Sequence, residues 1–186
     1  MKLIVAITGA TGTIYAVKLL EALHSFEQIE THLIMSQWAI KNLEIETDYS
    51  LDYVQSLASV VHEHHNLAAS IASGSFKTDG MIILPCSMKT LSSISHGAST
   101  NLIERAADVM LKEGRKLVIA PRETPLSTIH LENMLKLSRM GVRLVPPMPG
   151  FYSNPKTIDD LINHYVMKLL DQFDLDFHDE CRWKGV

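Results

Sequence analysis

Five short apolar segments, spaced along the chain, constrain its fold more than any other feature of the sequence. Each is rich in Ile, Val and Leu, and its apolar residues follow one another rather than alternating with polar ones. This continuous pattern is typical of strands in a parallel sheet that is covered on both faces. The segments are Leu3–Ile7, His32–Met35, Met81–Leu84, Lys116–Ala120 and Val142–Val145.

Helical patterns occupy the stretches between these segments. Apolar residues recur at helical spacing in three of them, and Ser127 and Thr157 supply start signals, the latter with Asp160 three residues on. Strands that alternate with helices predict a parallel α/β sheet with right-handed crossovers. The three apolar stripes begin at Ile14, Leu102 and Ile158.

The length of 186 residues, 46% of them hydrophobic, predicts one domain over residues 1–186. Residues 176–186 are expected to form a short C-terminal tail. The stretch Asp48–Asn66 has the weakest pattern, and we expect a helix over Tyr49–Ser59 followed by a polar loop.

Charge and cysteine content exclude several classes of protein. The net charge is −4 and the basic residues are scattered, which argues against nucleic-acid binding. No apolar run approaches the ~20 residues needed to cross a bilayer, and the N-terminus lacks the pattern of a signal peptide. Two cysteines are too few for a disulfide framework and lack zinc-site spacing. We therefore expect a cytoplasmic protein without a membrane span.

Ligands of open α/β sheets bind at the carboxyl ends of the strands, so the residues that follow each strand are the candidates for function. After the first strand, Gly9 and Gly12 flank a tight turn into a helix, with the Thr11 hydroxyl beside it. Such a turn suits a phosphate, but it is equally compatible with a plain structural turn. It matches neither the dinucleotide pattern nor the P-loop, so neither NAD nor ATP follows.

The segment PCSMKT follows the third strand and places Ser87, Lys89 and Thr90 at a second helix start. A lysine in a first helical turn opposes the helix dipole, which favours a bound anion, although ordinary capping by Ser87 remains possible. After the fourth strand, PRETP sets Arg122 beside Glu123 between two prolines. This pair fits a phosphate site with an acid or base, or an exposed ion pair.

Other polar residues have weaker functional patterns. His62, His64 and His65 could bind a metal, yet we place them in a solvent-exposed loop away from every strand end. Cys86 could be a nucleophile, but a small buried side chain is the favoured interpretation. No metal site is predicted.

Taken in order, the segments GATGTIYAVKLLEAL, IASGSFKTDGMIILPCSMKTL, RAADVMLKEGRKLVIAPRETPLSTIHLENMLKL and PPMPGFY closely resemble the flavin prenyltransferase (UbiX-type) family. The similarity is to the branch formerly named as the B component of phenolic or hydroxyarylic acid decarboxylases. It extends from Met1 to about Leu175, and the third segment is too long and distinctive for accidental similarity.

The resemblance implies a Rossmann-like three-layer fold, bound FMN and a homododecamer built of trimers. The implied reaction joins a dimethylallyl group, mainly from dimethylallyl phosphate, to N5 and C6 of reduced FMN without a metal ion. Its product, prenylated FMN, would pass to a UbiD-type decarboxylase of aromatic acids.

The same resemblance implies roles for individual residues. Glu46, Glu123, Lys112 and Arg105 would be catalytic, and some of the cations would reach into the site of a neighbouring copy. Tyr152 and Lys168 would bind dimethylallyl phosphate. The FMN site would comprise Gly9, Ala10, Thr11, Ser36, Ser87, Met88, Lys89, Thr90 and Arg122.

Two positions depart from the family pattern. Leu67 stands where some members have a tryptophan, and Lys168 stands where others have an arginine, which keeps the charge but loses bidentate geometry. Lys168 could also be an ordinary exposed helix residue. Two alternatives are an FMN-binding accessory subunit of a decarboxylase and a flavin-dependent cysteine decarboxylase; against the latter, the chain has PCSMKT and PPMPG instead of its motifs.

Overall fold

A computed structural model describes residues 1–177, 182–183 and 185 of the chain. The described residues form one sheet of six strands, all parallel, in the order β3-β2-β1-β4-β5-β6. This is the strand order of the Rossmann fold. The strands are β1 Lys2–Ile7, β2 Glu30–Met35, β3 Val60–His62, β4 Gly80–Cys86, β5 Lys116–Pro121 and β6 Arg143–Leu144.

Helices follow the strands and cover both faces of the sheet. Alternate residues of β1, β4 and β5 join α4, α5 and α6 in one buried apolar cluster, while α1 contacts β1 and β4 from the opposite face. The Rossmann-like three-layer α/β prediction is therefore confirmed. The helices are α1 Thr13–His24, α2 Gln37–Glu46, α3 Leu51–Ser56, α4 Met88–Ser95, α5 Leu102–Lys112, α6 Thr128–Arg139 and α7 Ile158–Leu170, with 3-10 turns at Ser70–Ala72 and Asp171–Phe173.

The five predicted strands and both predicted helix starts are present. Ser127 caps α6, and Thr157 with Asp160 forms the capping box of α7. Among the described residues, no helix is both long enough and apolar enough to cross a membrane.

The region of Asp48–Asn66 differs from its prediction. The helix is shorter, over Leu51–Ser56, and it is followed by the edge strand β3. The expectation that His62, His64 and His65 lie away from every strand end is wrong, because His62 ends β3 and the other two follow within three residues. The strand has only three residues, and Val60 and Val61 are exposed, so no buried apolar pattern marks it in the sequence.

The chain divides into two compact units, Met1–Pro146 and Pro147–Val186. The first contains the whole sheet and α1 to α6, and the second contains α7 and the turn Asp171–Phe173. The single-domain assignment stays a prediction. Of the predicted C-terminal tail, His178–Cys181, Lys184 and Val186 lie outside the described residues.

Candidate functional site

The ends of β1 and β4 are tied together at the point where the strand order reverses. Thr8, directly after β1, donates its hydroxyl to the carbonyl of Pro85 at 2.8 Å and accepts the amide of Ser87 at 2.8 Å. The Thr8 side chain is almost fully buried. These bonds fix the two turns that follow the central strands, where open α/β sheets bind ligands.

A cavity of about 410 Å³ opens at this edge of the sheet. Its size is in the range of pockets that hold cofactors. Other cavities of the first unit lie near the opposite ends of the strands, around Arg115 and Lys116 and around Lys2 and Asp79. The site cavity is lined by Thr8, Gly9, Ser36, Gln37, Trp38, His64, His65, Ser87, Lys89, Thr90, Asn101 and Glu104.

Three helix N-termini meet at this cavity. Ser36, Ser87 and Asn101 are the N-caps of α2, α4 and α5, and each accepts a first-turn amide of its own helix. The first amides of a helix have no partner within the helix, and the helix dipole places a partial positive charge there. With the Lys89 ammonium on the wall, the cavity is suited to an anion such as a phosphate.

A buried carboxylate and two histidines complete the wall. Glu104 is only 2% exposed and accepts the amide and the hydroxyl of Thr100 at 2.9 and 2.6 Å. Burial raises its pKa, but these bonds and further hydrogen bonds lower it more, so the pKa lies below its usual range. His64 and His65 are 3.3 Å apart between Nδ1 and Nε2, and burial and the neighbouring His65 lower the pKa of His64.

Five of the nine residues predicted for FMN line the cavity directly: Gly9, Ser36, Ser87, Lys89 and Thr90. The other four lie next to them in sequence or space without being part of its wall. Ala10 is buried, Thr11 is exposed, and Met88 packs against the apolar cluster below α4. The Arg122 amide donates to the carbonyl of Cys86 at 3.1 Å, while its side chain is exposed.

Gly9 is required by close packing. A Cβ atom at this position would lie 2.5 Å from the Cβ of Trp38, which is closer than any real contact. Trp38 itself is 71% exposed and forms part of the cavity wall. The absent side chain of Gly9 therefore allows α2 to begin at the edge of the cavity.

Glu46 lies at the first helix rather than in the cavity wall. Its Oε2 accepts the amides of Gly12 and Thr13 at 2.9 Å each, so a carboxylate holds the N-terminus of α1. Burial raises the pKa of Glu46, but hydrogen bonds from Thr11, Thr13 and Gly12 outweigh it and lower the pKa. The glycine turn after β1 was expected to be either a phosphate site or a plain structural turn. In the structure, its Gly12 and Thr13 amides donate to Glu46.

The remaining predicted catalytic residues are not gathered at the cavity of one chain. Glu123 is exposed after β5 and accepts the amide of Thr124. Arg105 donates to the carbonyl of Ala72 at 3.0 Å and pairs with Asp108 at 2.7 Å. Lys112, the last residue of α5, pairs with Glu113.

Both residues predicted for the prenyl phosphate belong to the second unit, Tyr152 before α7 and Lys168 within it. The Tyr152 hydroxyl and His164 Nε2 are 2.6 Å apart, and their rings meet edge to face. Lys168 lies one turn further along α7 from His164; its side chain is half exposed, and its ammonium is 3.4 Å from the Asp171 carboxylate. The Trp183 ring also meets the Tyr152 ring edge to face, at 5.9 Å between centroids.

Cys86 is buried, as favoured by the sequence. It is 0% exposed, and burial raises the pKa of its thiol far above the usual range. A protonated buried thiol is a poor nucleophile.

Sequence patterns did not reveal Trp38, Asn101, Glu104 and the histidines as cavity residues. Asn101 and Glu104 have the spacing of a capping box, which is a usable signal for a helix start. No sequence signal links His64 and His65 to the cavity, since that depends on the unpredicted strand β3. Within the described residues, no three potential metal ligands form a cluster.

Comparison with known proteins places this geometry in a family. A profile of the Flavoprotein family matches residues 1–170. The flavin prenyltransferase LpdB of Lactiplantibacillus plantarum is 55% identical over 184 residues, which are 99% of this chain and 98% of the relative. The chain belongs to the flavin prenyltransferases.

Solved structures of relatives agree with this membership. The dodecameric FMN-dependent UbiX-like decarboxylase from Escherichia coli O157:H7 is 58% identical, with a TM-score of 0.98 and full coverage of both chains. AnUbiX in complex with FMN and dimethylallyl pyrophosphate is 51% identical, with a TM-score of 0.97 over 100% of this chain and 98% of that one. The peptidyl-cysteine decarboxylase EpiD, at 17% identity, a TM-score of 0.61 and coverage of 80% of this chain and 82% of that one, shares the fold alone.

Proposed function

We propose that this flavin prenyltransferase transfers a dimethylallyl group from dimethylallyl phosphate to N5 and C6 of reduced FMN. Family membership at 55% identity over nearly the full chain carries the reaction class. The product, prenylated FMN, would serve a UbiD-type decarboxylase of aromatic acids. The reaction requires no metal ion and takes place in the cytoplasm.

The cavity of the first unit fits FMN. Three helix N-termini and Lys89 offer an anion site for the phosphate, and the Gly9 backbone has no side chain to obstruct a ligand. The Ser87 and Thr90 hydroxyls can bind polar edges of the ring or the ribityl chain. With Ala10, Thr11, Ser36, Met88 and Arg122, these residues make up the proposed FMN site.

Tyr152 and Lys168 would bind the phosphate of the prenyl donor. Tyr152 contacts His164 of α7, and Lys168 lies one helical turn from His164, so we propose that the phenol and the ammonium bind the same anion. Cations and a phenol that hold the departing phosphate stabilise the charge that develops as the allylic C–O bond breaks.

Reduced FMN supplies the nucleophilic N5 and C6 positions. The phosphate released from the donor stays bound, and its oxygens can accept the proton that the flavin loses. Glu123 would act as a general acid or base in this proton transfer. Glu46, Arg105 and Lys112 complete the proposed catalytic set. Because Arg105 and Lys112 bind elsewhere in their own chain, we propose that they act at the site of a neighbouring copy.

Such sharing requires an assembly, and we propose a homododecamer. The relative from E. coli O157:H7 is dodecameric. The exposed apolar side chains of α6, among them Ile129 and Leu135, supply a surface for contacts between copies.

An experiment separates the enzyme from an FMN-carrying accessory subunit. The protein is incubated anaerobically with reduced FMN and dimethylallyl phosphate, removed by ultrafiltration, and the filtrate is added to an apo UbiD-type decarboxylase. If this protein is an enzyme, the decarboxylase is active with the filtrate alone. If it is an accessory subunit, the decarboxylase is active only while this protein is present. A parallel incubation with the diphosphate donor tests the choice of substrate.

A further inference from the structure

A short polar contact in the second unit joins Tyr152 to His164. Their oxygen and Nε2 atoms are 2.6 Å apart. His164 is 5% exposed on α7, whereas Tyr152 is 48% exposed. A buried imidazole therefore holds a phenol whose other side is open to a ligand.

The buried Nδ1 of His164 decides which partner donates. It has no hydrogen-bond partner among the described residues. A proton on Nδ1 would leave a buried N–H donor unsatisfied, which is rarer and costlier than an unused acceptor. The neutral ring therefore carries its proton on Nε2 and donates it to the phenol oxygen.

The surroundings keep His164 neutral. Burial lowers its pKa most, the Lys168 ammonium lowers it further, and the Asp171 carboxylate opposes them in part. Since the pKa lies below its usual range near 6.5, the ring is uncharged at neutral pH. At neutral pH the ring is therefore the neutral tautomer with its proton on Nε2.

We infer that His164 is a positioning residue that orients the Tyr152 hydroxyl so that its proton is free to donate to the phosphate of the prenyl donor. A phenol that accepts one hydrogen bond while donating another is polarised and is the stronger donor. This inference rests on the proposed role of Tyr152 in binding that phosphate. In this role His164 acts on the donor only through the Tyr152 hydroxyl.

Gly150 maintains the geometry of the pair. A Cβ atom there would lie 2.8 Å from Cε1 of His164 and 3.2 Å from Cε1 of Tyr152. The absent side chain lets both rings approach the backbone. A Gly150→Ala variant should therefore disturb the pair without altering either partner.

The tautomer is tested on the assembled protein by magic-angle-spinning NMR with 15N-labelled histidine. The His164→Gln variant identifies the signal of His164 by its loss. We expect Nε2 to be protonated and Nδ1 to be unprotonated at pH 7.5. A proton on Nδ1, or a charged ring, overturns the inference whether or not the protein transfers prenyl groups.

The functional arm compares two substitutions. Phenylalanine at position 164 keeps a ring without a donor, and glutamine places an amide near the position of Nε2. We expect His164→Phe to raise the KM for dimethylallyl phosphate about 10-fold, the effect of one lost hydrogen bond, and His164→Gln to restore most of it. FMN affinity should not change in either variant.

Equal KM values for wild type and His164→Phe, in a protein that transfers prenyl groups, contradict the positioning role. Loss of FMN binding in both variants identifies a structural role instead and also contradicts it. If wild-type protein transfers no prenyl group, the proposed function fails, while the NMR result still decides the hydrogen bond.

Discussion

Gly9 is the residue at which the shape of the cavity depends on a missing side chain. A methyl group there must displace Trp38 and the start of α2, since it would lie 2.5 Å from the Trp38 Cβ. We expect Gly9→Ala to weaken FMN binding at least about 10-fold, because moving one wall of a preformed pocket costs more than ~1.4 kcal/mol. Fluorescence titration with FMN measures this effect.

Gly141→Ala is the control for Gly9→Ala. Gly141 has a φ of +87°, and its added Cβ would meet nothing within 4 Å. This variant should lose stability through backbone strain while retaining FMN affinity. Equal FMN affinity for Gly9→Ala and wild type would show that the Gly9 contact does not shape the flavin site.

Glu46 is expected to stabilise α1 electrostatically. Its carboxylate accepts two amides at the helix N-terminus, and its pKa is lowered on balance despite partial burial. A group with a lowered pKa stabilises the fold above its unfolded pKa and loses this effect as the pH falls through the folded value. Glu46→Gln should cost about 0.3–1 kcal/mol at pH 7.

Urea unfolding at several pH values measures the contribution of Glu46. The difference between wild type and Glu46→Gln should shrink as the pH drops below about 4, where the wild-type carboxylate takes up a proton. A difference that is constant from pH 7 to pH 3 would attribute the loss to packing rather than to charge.

Glu123 is exposed on the segment after β5, where it makes one hydrogen bond to a neighbouring amide. We expect Glu123→Gln to retain FMN and to slow prenyl transfer by about 10²-fold, as for loss of a general acid or base. Single-turnover kinetics measure the rate and FMN titration measures the retention. Wild-type turnover in this variant would remove Glu123 from the mechanism.

Among the elements, β3 is a short strand at the edge of the sheet, and a histidine pair links it to β2. His32 Nδ1 and His62 Nε2 are 2.9 Å apart, and His32 Nε2 is 3.0 Å from Glu30, which pairs with Lys2. Burial and the neighbouring His32 lower the pKa of His62. The unfolded chain therefore binds protons more readily than the folded one, and stability falls as the pH drops below about 6.5.

Hydrogen exchange of the β3 amides tests whether the stability of this strand falls at low pH. Lowering the pH from 7.5 to 5.5 should reduce their protection by about 0.5–1 kcal/mol, the net value of one hydrogen bond. His62→Gln, which stays neutral, should show a smaller change over the same range. Protection of β3 that follows the same pH course in both proteins would exclude the histidine pair as its cause.

Local sequence patterns predicted most strands and helices but not the strand β3. The strands β1, β2, β4 and β5 are buried along most of their length, and α6 and α7 have caps whose side chains act within the same turn. The strand β3 is held by pairing with β2 and by His32, thirty residues away. Such long-range contacts leave no periodic pattern in the sequence.

The same distinction applies to the site. Ser36, Ser87, Lys89 and Thr90 were predictable because they follow buried strands directly. His64 and His65 required knowledge of β3, and Trp38 required knowledge that the first turn of α2 packs against Gly9. His164 acts through Tyr152, twelve residues away. The role of such a residue depends on packing between side chains, which no local sequence pattern reveals.

For the assembled molecule, we expect the exposed apolar side chains around α6 to form contacts between copies. Leu126, Ile129, Leu131 and Leu135 are 42–66% exposed in or beside α6. Ile129→Glu should leave the monomer folded, because the side chain is at its surface, and should dissociate the assembly by placing a charge in an apolar contact. Light scattering after size-exclusion chromatography measures the mass, and an assembly unchanged by Ile129→Glu would exclude this surface.

Prenyl transfer to reduced FMN can be measured by mass spectrometry of the released flavin. Wild-type protein is incubated without oxygen with reduced FMN and dimethylallyl phosphate, and the released flavin is analysed. We expect a product that is heavier than reduced FMN by one C5H8 unit, with release of one phosphate. Unchanged FMN with both the phosphate and the diphosphate donor would contradict it.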